Sequence, residues 1–128
     1  MAALKPKYSN AAIKSIYGFF SGDTDKILKF TYFIQRAFDK SCEILIDRFG
    51  ITQNDVLALF KEPIAESEEE NSGFVAAFDT ENSQLYVTVE SAISYYVKRR
   101  FEEYVAIIIH EIEHALQAEA VGKIQKIH

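Results

Sequence analysis

Three residues near the C-terminal end of the sequence have the types and the spacing needed to activate a water molecule. His110, Glu111 and His114 form a His-Glu-x-x-His pattern. On a helix, residues four apart lie about 40° from each other around the axis, so both imidazoles can bind one metal ion. Glu111 lies between them and can reach a water on that ion. The pattern therefore predicts a zinc site for hydrolysis, with His110 and His114 as ligands.

In such a site, Glu111 would act as the general base. Zinc lowers the pKa of a bound water to about 7 and polarises the substrate carbonyl. Glu111 would take the proton of that water and pass it to the leaving amine. The negative charge that develops on the substrate oxygen needs a further positive or hydrogen-donating group. The sequence offers Tyr86, Tyr95, Tyr96 and Arg100 for this role and does not rank them.

The sequence leaves the third zinc ligand open. Catalytic zinc sites have three protein ligands, but the only histidine after His114 is His128, the last residue. His128 is one candidate, because Gly122 can let the tail fold back. A second source is a partner subunit or an acidic loop, whose candidates are Glu68, Glu69 and Glu70. The third outcome is an incomplete site that binds an ion with two histidines and does not catalyse.

Two acids close to the motif are weaker candidates for a ligand. Glu119 would lie about 140° from His114 around a regular helix, too far to bind the same ion. Glu113 is expected to face solvent. Glu111 and His114 also form half of a di-iron carboxylate motif, and since the sequence has no second half, that interpretation would need a homodimer.

Composition and charge narrow the class of protein. The sequence has 128 residues with a hydrophobic fraction of 48%, which predicts one globular domain. A net charge of −5 argues against nucleic acid as a partner, since phosphate binding needs a concentrated basic face. Cys42 is the only cysteine, and no secretory signal or membrane span is visible. We therefore expect a cytoplasmic protein that does not bind membranes.

The N-terminal half is predicted to be helical. Residues 1–8 are expected to form a flexible lead. Hydrophobic periodicity predicts a helix over residues 11–20 and then a longer one, with a break near residues 39–41, that ends at Gly50. A third, short helix is predicted after Thr52, which can cap it.

The second half begins with an acidic loop and continues with β-strands and a long helix. Residues 66–73 are acidic and polar and end in glycine, which is typical of a solvated loop. Short β-type runs over residues 74–79 and 84–89 predict a hairpin. A helical pattern runs from about residue 101 and is expected to end at Gly122. The predicted fold class is therefore α+β, with N-terminal helices, a small antiparallel sheet and a long C-terminal helix that carries the motif.

The motif helix resembles the active-site helix of the zincin metallopeptidases. The predicted hairpin is followed by a short basic segment at residues 98–100 and then by the motif helix. This order is similar to that in small cytoplasmic zincins, notably the ImmA/IrrE-like peptidases, which cleave phage or stress repressors, and the minimal gluzincins. The similarity covers about residues 73–118. It implies one zincin-like domain over residues 1–128, a phage-related role and a peptide lying along a hairpin strand. The metzincin pattern is excluded, because Gln117 and Ala120 stand where that family has Gly and His.

The resemblance departs from the gluzincins at the third ligand. Gluzincins take it from an acid on a helix after the motif helix, and the sequence shows no such helix. Two hypotheses therefore stand. The first is a zinc metallopeptidase that hydrolyses a protein or peptide substrate, with Glu111 as general base. The alternative is a non-catalytic zincin-like module for structure or protein interaction, in a homo-oligomer or a larger phage-derived assembly, with an incomplete metal site.

Overall fold

Five helices and four short strands make up the part of the chain that this computed structural model describes, residues 4–59, 61–69 and 74–127, the last seven of them as backbone only. In chain order the elements are β1 (Lys7–Tyr8), α1 (Asn10–Phe19), α2 (Thr24–Phe49), α3 (Gln53–Leu57), β2 (Ile64–Glu66), β3 (Ala76–Asp79), β4 (Gln84–Thr88), α4 (Val89–Val97) and α5 (Phe101–Ile127). The predicted α+β class is confirmed. Within the described residues, no helix is long and apolar enough to cross a membrane.

Side-chain and backbone caps set the bounds of the N-terminal helices. Ser9 and Asp23 each accept a backbone N–H at the first turn of α1 and α2. α2 ends at Gly50, whose φ of 61° is the left-handed conformation that glycine adopts without steric cost. The predicted break in the middle of α2 is wrong. α2 is continuous there, and the buried hydroxyl of Ser41 is satisfied by donating to the carbonyl of Ala37 one turn earlier.

The sheet has the strand order β1-β2-β4-β3. β3 and β4 form the predicted antiparallel hairpin. β1 and β2 were not predicted, and they pair in parallel with each other and through β2 with β4, so the complete sheet is mixed. They escaped prediction because they contain only two and three residues, too few for an alternating pattern.

The N-terminal segment differs from the flexible lead expected for residues 1–8. Leu4 is buried, and its carbonyl accepts a hydrogen bond from the side chain of Gln35 on α2. Lys7 donates its backbone N–H to the carbonyl of Pro63, next to β2. From residue 4 onward this segment is therefore part of the fold, because a neighbouring strand and helix satisfy its backbone groups.

The hydrophobic core lies between the sheet and the helices α2 and α5. Its fully buried side chains come from all three layers, and they include Phe38 and Leu45 of α2, Leu85 and Val87 of β4, and Ile108 and Ile112 of α5. Leu85 and Val87 point to the same side of the sheet because side chains alternate along a strand. The packing places α5 across this side of the sheet, in contact with β3 at one sheet edge.

The C-terminal helix and the acidic loop differ in length from the predictions. α5 continues through Gly122 to Ile127, because a glycine inside a helix costs only about 1 kcal/mol relative to alanine and does not by itself end it. Glu66 is the last residue of β2, so the loop begins one residue later than predicted. Residues 70–73 of the predicted loop lie outside the described residues.

Candidate metal centre

On α5, Glu111 lies at the border of the buried face, and the two histidines lie on the open face. His110 and His114 are exposed, and Glu111 is half-buried. The next residue, Ile112, is fully buried in the core. Since each residue turns about 100° around a helix, this order points Glu111 towards the sheet edge and the two imidazoles towards solvent. The apolar residues of the motif helix thus fix the direction of its polar ones.

The two imidazoles are spaced as a shared metal ion requires. The distance between His110 Nε2 and His114 Nε2 is 3.2 Å. Two nitrogens bound to tetrahedral zinc at about 2.0–2.1 Å would lie roughly 3.3 Å apart. The same distance suits a hydrogen bond between a protonated and an unprotonated ring nitrogen, which an ion would replace. The rings are nearly perpendicular, at 82°, so both nitrogens converge without stacking.

Glu111 completes a group of three side chains that could hold a metal ion. One carboxylate oxygen of Glu111 and one nitrogen of each histidine all lie within 4.8 Å of one another. The Oε1 atom of Glu111 accepts a hydrogen bond of 3.1 Å from the backbone N–H of Phe78 on β3. Within the described residues, Oε2 has no protein hydrogen-bond partner. One oxygen is therefore fixed by the sheet, and the other is available to a water or a substrate.

The register of the hairpin explains why an amide of β3 reaches Glu111. Thr88 donates its backbone N–H to the carbonyl of Val75, so Val75 faces β4. Backbone groups alternate in direction along a strand, and those of Phe78 therefore point away from β4. β3 is the edge strand on this side of the sheet, and α5 lies against it. The outward amide of Phe78 is thus satisfied by Glu111, which ties the motif helix to the edge strand.

No fourth donor joins this group among the residues that the structure describes. Glu113 forms an ion pair of 3.5 Å with Arg48 of α2. Glu68 accepts a hydrogen bond from Ser91 on α4. Of the other candidates for a third ligand, Glu69 and Glu119 lie outside the group, whereas Glu70 and His128 lie outside the described residues.

Among the residues that the structure describes, none of the four candidates for stabilising the negative charge on the substrate oxygen contacts the motif. Tyr95 and Tyr96 belong to an aromatic cluster around the start of α5. The ring centroid of Tyr95 lies 5.5 Å from that of Tyr104, and the ring centroid of Tyr96 lies 5.3 Å from that of Phe33. Arg100 pairs with Glu103 at 2.7 Å. Tyr86 alternates with the buried Leu85 and Val87 of β4, so it lies on the side of the sheet opposite to α5. None of the four has a hydrogen bond or ring contact with the motif in the described part of the chain.

Two hydrogen-bonding features of the structure were not predicted from the sequence. The first is the amide of Phe78, which no residue pattern could reveal because it depends on hairpin register. The second is Glu90 in the first turn of α4, which accepts hydrogen bonds from the hydroxyls of Ser15 and Ser67 and from the backbone N–H of Glu68, at 2.7 to 2.8 Å. Burial would raise the pKa of Glu90, but these hydrogen bonds outweigh it and hold that pKa below its ordinary value.

The fold and the site define the class of protein: an α+β domain whose C-terminal helix presents a His-Glu-x-x-His group able to hold a metal ion. Comparison of the chain with protein-family models, with curated proteins and with solved structures found no match. The resemblance to the zincins therefore rests on the His-Glu-x-x-His motif alone.

Proposed function

We propose that this protein is a zinc-dependent peptidase in which His110 and His114 bind the ion and Glu111 is the general base. The observation that carries the proposal is the geometry of the motif. The two imidazole nitrogens stand 3.2 Å apart, and Glu111 is held beside them by the amide of Phe78. A solvated face rich in Glu and His would not need such a tether between helix and strand.

The chain's own groups divide the chemistry between them. A bound zinc ion would supply a water of lowered pKa and polarise the substrate carbonyl. The amide of Phe78 holds Oε1 of Glu111 and limits rotation of the carboxylate, so that Oε2 has a defined position. From that position Glu111 can accept a proton at Oε2 and donate it to the leaving amine. Its half-buried setting limits, without abolishing, the access of bulk water.

An extended peptide is the substrate that suits the surroundings of the motif. β3 is an edge strand, and an edge presents backbone groups to which another strand can pair. By alternation, the outward groups of β3 include those of Ala76, two residues before the Phe78 amide that Glu111 occupies. A peptide pairing with Ala76 would run along β3 towards the point where Glu111 bonds to Phe78. These features support a protein or peptide substrate, without indicating its sequence.

The direct test measures zinc binding and peptide cleavage on the same protein. The metal-free chain would be titrated with zinc and incubated with a mixture of unstructured peptides, and products would be identified by mass spectrometry. We expect zinc-dependent cleavage by the native chain. Glu111→Gln should bind zinc with unchanged affinity and should not cleave. Cleavage that survives in Glu111→Gln would show that the general base is another group, and a chain that binds no zinc would overturn the proposal.

A specific observation keeps a second function in view, that of a non-catalytic zincin-like module. The described residues supply two histidine ligands, whereas a catalytic zinc site has three protein ligands. If zinc binds without cleavage of any peptide, and Glu111→Gln changes nothing measurable, the module hypothesis accounts for the protein better. The titration above separates the two functions, since only the peptidase depends on Glu111.

A further inference from the structure

The exposed side of α5 carries a row of residues that reads the same in both directions. Ala106, His110, His114 and Ala118 follow one another at intervals of four residues, and all four are exposed. Residues four apart form one ridge on a helix surface. The centre of this ridge, at the level of Ile112, has a histidine and then an alanine on each side. Such a row is complementary to an inverted copy of itself.

This row lies in the middle of the open face of α5. Glu111 stands on one side of the face, where it bonds to β3, and Glu113 stands on the other, where it pairs with Arg48 of α2. The histidines lie between these borders, at about 100° and 60° from Glu111 around the axis. A second helix could therefore approach the pair without displacing either neighbour. The alanines one turn away leave room for the close approach of two backbones.

Zinc bound by His110 and His114 needs further ligands, and the described residues offer none beyond Glu111, which β3 holds. An inverted second copy would bring its own two histidines to the same point. We infer that His110 and His114 of two copies bind one zinc ion together, and that the ion links the chains through crossed α5 helices. This rests on the zinc site of the proposed function and adds its partner and its regulation.

The antiparallel arrangement is also favourable for the flanking residues. With the two-fold axis at the level of Ile112, Ala106 of one copy faces Ala118 of the other, so small residues meet on both sides of the ion. Each chain has a net charge of −5, so two copies repel each other, and a shared zinc ion at the contact offsets part of this repulsion. The association should therefore depend on the metal.

A zinc ion held by four histidines has no open position for water, as in structural zinc sites. The linked form would therefore be inactive, and hydrolysis would belong to the separate chains. Because two chains share one ion in the linked form, it is favoured when protein exceeds zinc. Excess zinc gives each chain its own ion and separates the pair. Zinc supply and protein concentration would thus regulate the same site.

Sedimentation velocity of the full chain tests this inference without using activity. The metal-free chain, prepared with EDTA and dialysed, should sediment as a monomer. Zinc chloride added to one ion per two chains should convert it to a dimer, and further zinc should reverse the conversion. A chain that binds one zinc and stays monomeric at every ratio would overturn the inference but leave the metal site of the proposed function in place. A chain that binds no zinc would overturn both.

A matched pair of variants separates the helix contact from metal binding. Ala118→Arg places a long side chain, which cannot bind zinc, inside the contact and should weaken zinc-induced association about tenfold or more. Ala120→Arg makes the same change on another exposed alanine of α5, about 200° around the axis from residue 118, and should dimerise like the native chain. Equal dimerisation of the two variants would exclude the α5 face as the interface. Both should retain zinc binding by the separate chain.

Discussion

Two glutamates of this protein, Glu90 and Glu111, differ in how many of their carboxylate oxygens accept hydrogen bonds. Glu90 has both carboxylate oxygens engaged, Oε2 with the hydroxyls of Ser15 and Ser67 and Oε1 with the backbone N–H of Glu68. Among the described residues, Glu111 has a single hydrogen-bond partner, the amide of Phe78 at Oε1. Each side chain joins a helix to another part of the fold. Only the second retains an oxygen that can receive a proton from a substrate or a water.

The difference separates a structural carboxylate from a reactive one. Three donors stabilise the charged form of Glu90 and join α1, the end of β2 and the start of α4 at one point. A fully bonded carboxylate is a poor general base, because protonation would break several hydrogen bonds. Glu111 combines one bond that fixes its position with one free oxygen, and two imidazoles lie beside it. Hydrogen-bond saturation, more than residue type, therefore distinguishes the two sites.

The largest expected effect is on catalysis. Glu111→Gln should lower the rate of peptide cleavage by about 100- to 10,000-fold, the usual contribution of a general base. Glu90→Gln should change that rate by less than about threefold, because it lies outside the motif. Initial rates on one cleaved peptide, with zinc content measured in parallel, check the prediction. A similar loss in both variants would mean that the two carboxylates do not differ as the structure indicates.

The next effect is on stabilisation by zinc. Free zinc at about 100 times its dissociation constant should stabilise the native chain by roughly 2.7 kcal/mol, since only the folded state holds the two histidines together. His110→Ala should lose most of this stabilisation while the metal-free variant unfolds within about 0.5 kcal/mol of the native chain, because the side chain is exposed. Thermal unfolding of the native chain and of His110→Ala, with and without zinc, measures this stabilisation.

Gln117→Ala is the matched control for the zinc experiment, since Gln117 is exposed on the same side of α5. It should keep the full response to zinc. Glu90→Gln should keep it as well. A histidine variant that still gains stability from zinc would place the ion elsewhere on the chain.

A smaller effect concerns stability without metal. Glu90→Gln should lower the free energy of unfolding by about 1–2 kcal/mol, because hydrogen bonds to a charged group are lost and the site is partly solvated. Glu111→Gln should cost less, roughly 0.5–1 kcal/mol, since one neutral donor is affected. Urea unfolding at neutral pH provides both values.

Glu102→Gln is the matched control for Glu90→Gln, because both acids lie in the first turn of a helix and share its electrostatic contribution. Glu102 is exposed, and its substitution should cost less than about 0.5 kcal/mol. If Glu90→Gln is no more costly than Glu102→Gln, the three hydrogen bonds to Glu90 contribute nothing to stability.

The smallest effect is a difference in acid sensitivity. The hydrogen bonds hold the pKa of Glu90 below the ordinary value of about 4.3, so its contribution is complete above that pH and is lost as pH falls through the lower, folded-state pKa. Between about pH 5 and pH 3 the native chain should lose more stability than Glu90→Gln, by less than about 1 kcal/mol. Parallel pH profiles of the unfolding free energy would contradict the depressed pKa.

The elements with long patterns were predictable from the sequence. α1 and α2 combine a hydrophobic stripe with local caps, as at Ser9 and Gly50, and α5 has a wide apolar face; these signals lie within a few residues of each other. The hairpin followed from two alternating runs. β1 and β2 were missed because pairing with a distant strand, and not local pattern, makes them strands. The end of α5 was misjudged because a glycine only lowers helix stability and does not decide it.

For the candidate site, the sequence by itself determined the three residues and their spacing, because a helix of 3.6 residues per turn places His110 and His114 together wherever it lies. Tertiary structure decided the rest. The packing of α5 beneath the sheet edge turned Glu111 towards the amide of Phe78 and left the histidines on the open face. Hydrogen bonds from two separate segments, α1 and residues 67–68, made Glu90 a structural link. Such contacts join residues far apart in the chain, and no local pattern specifies them.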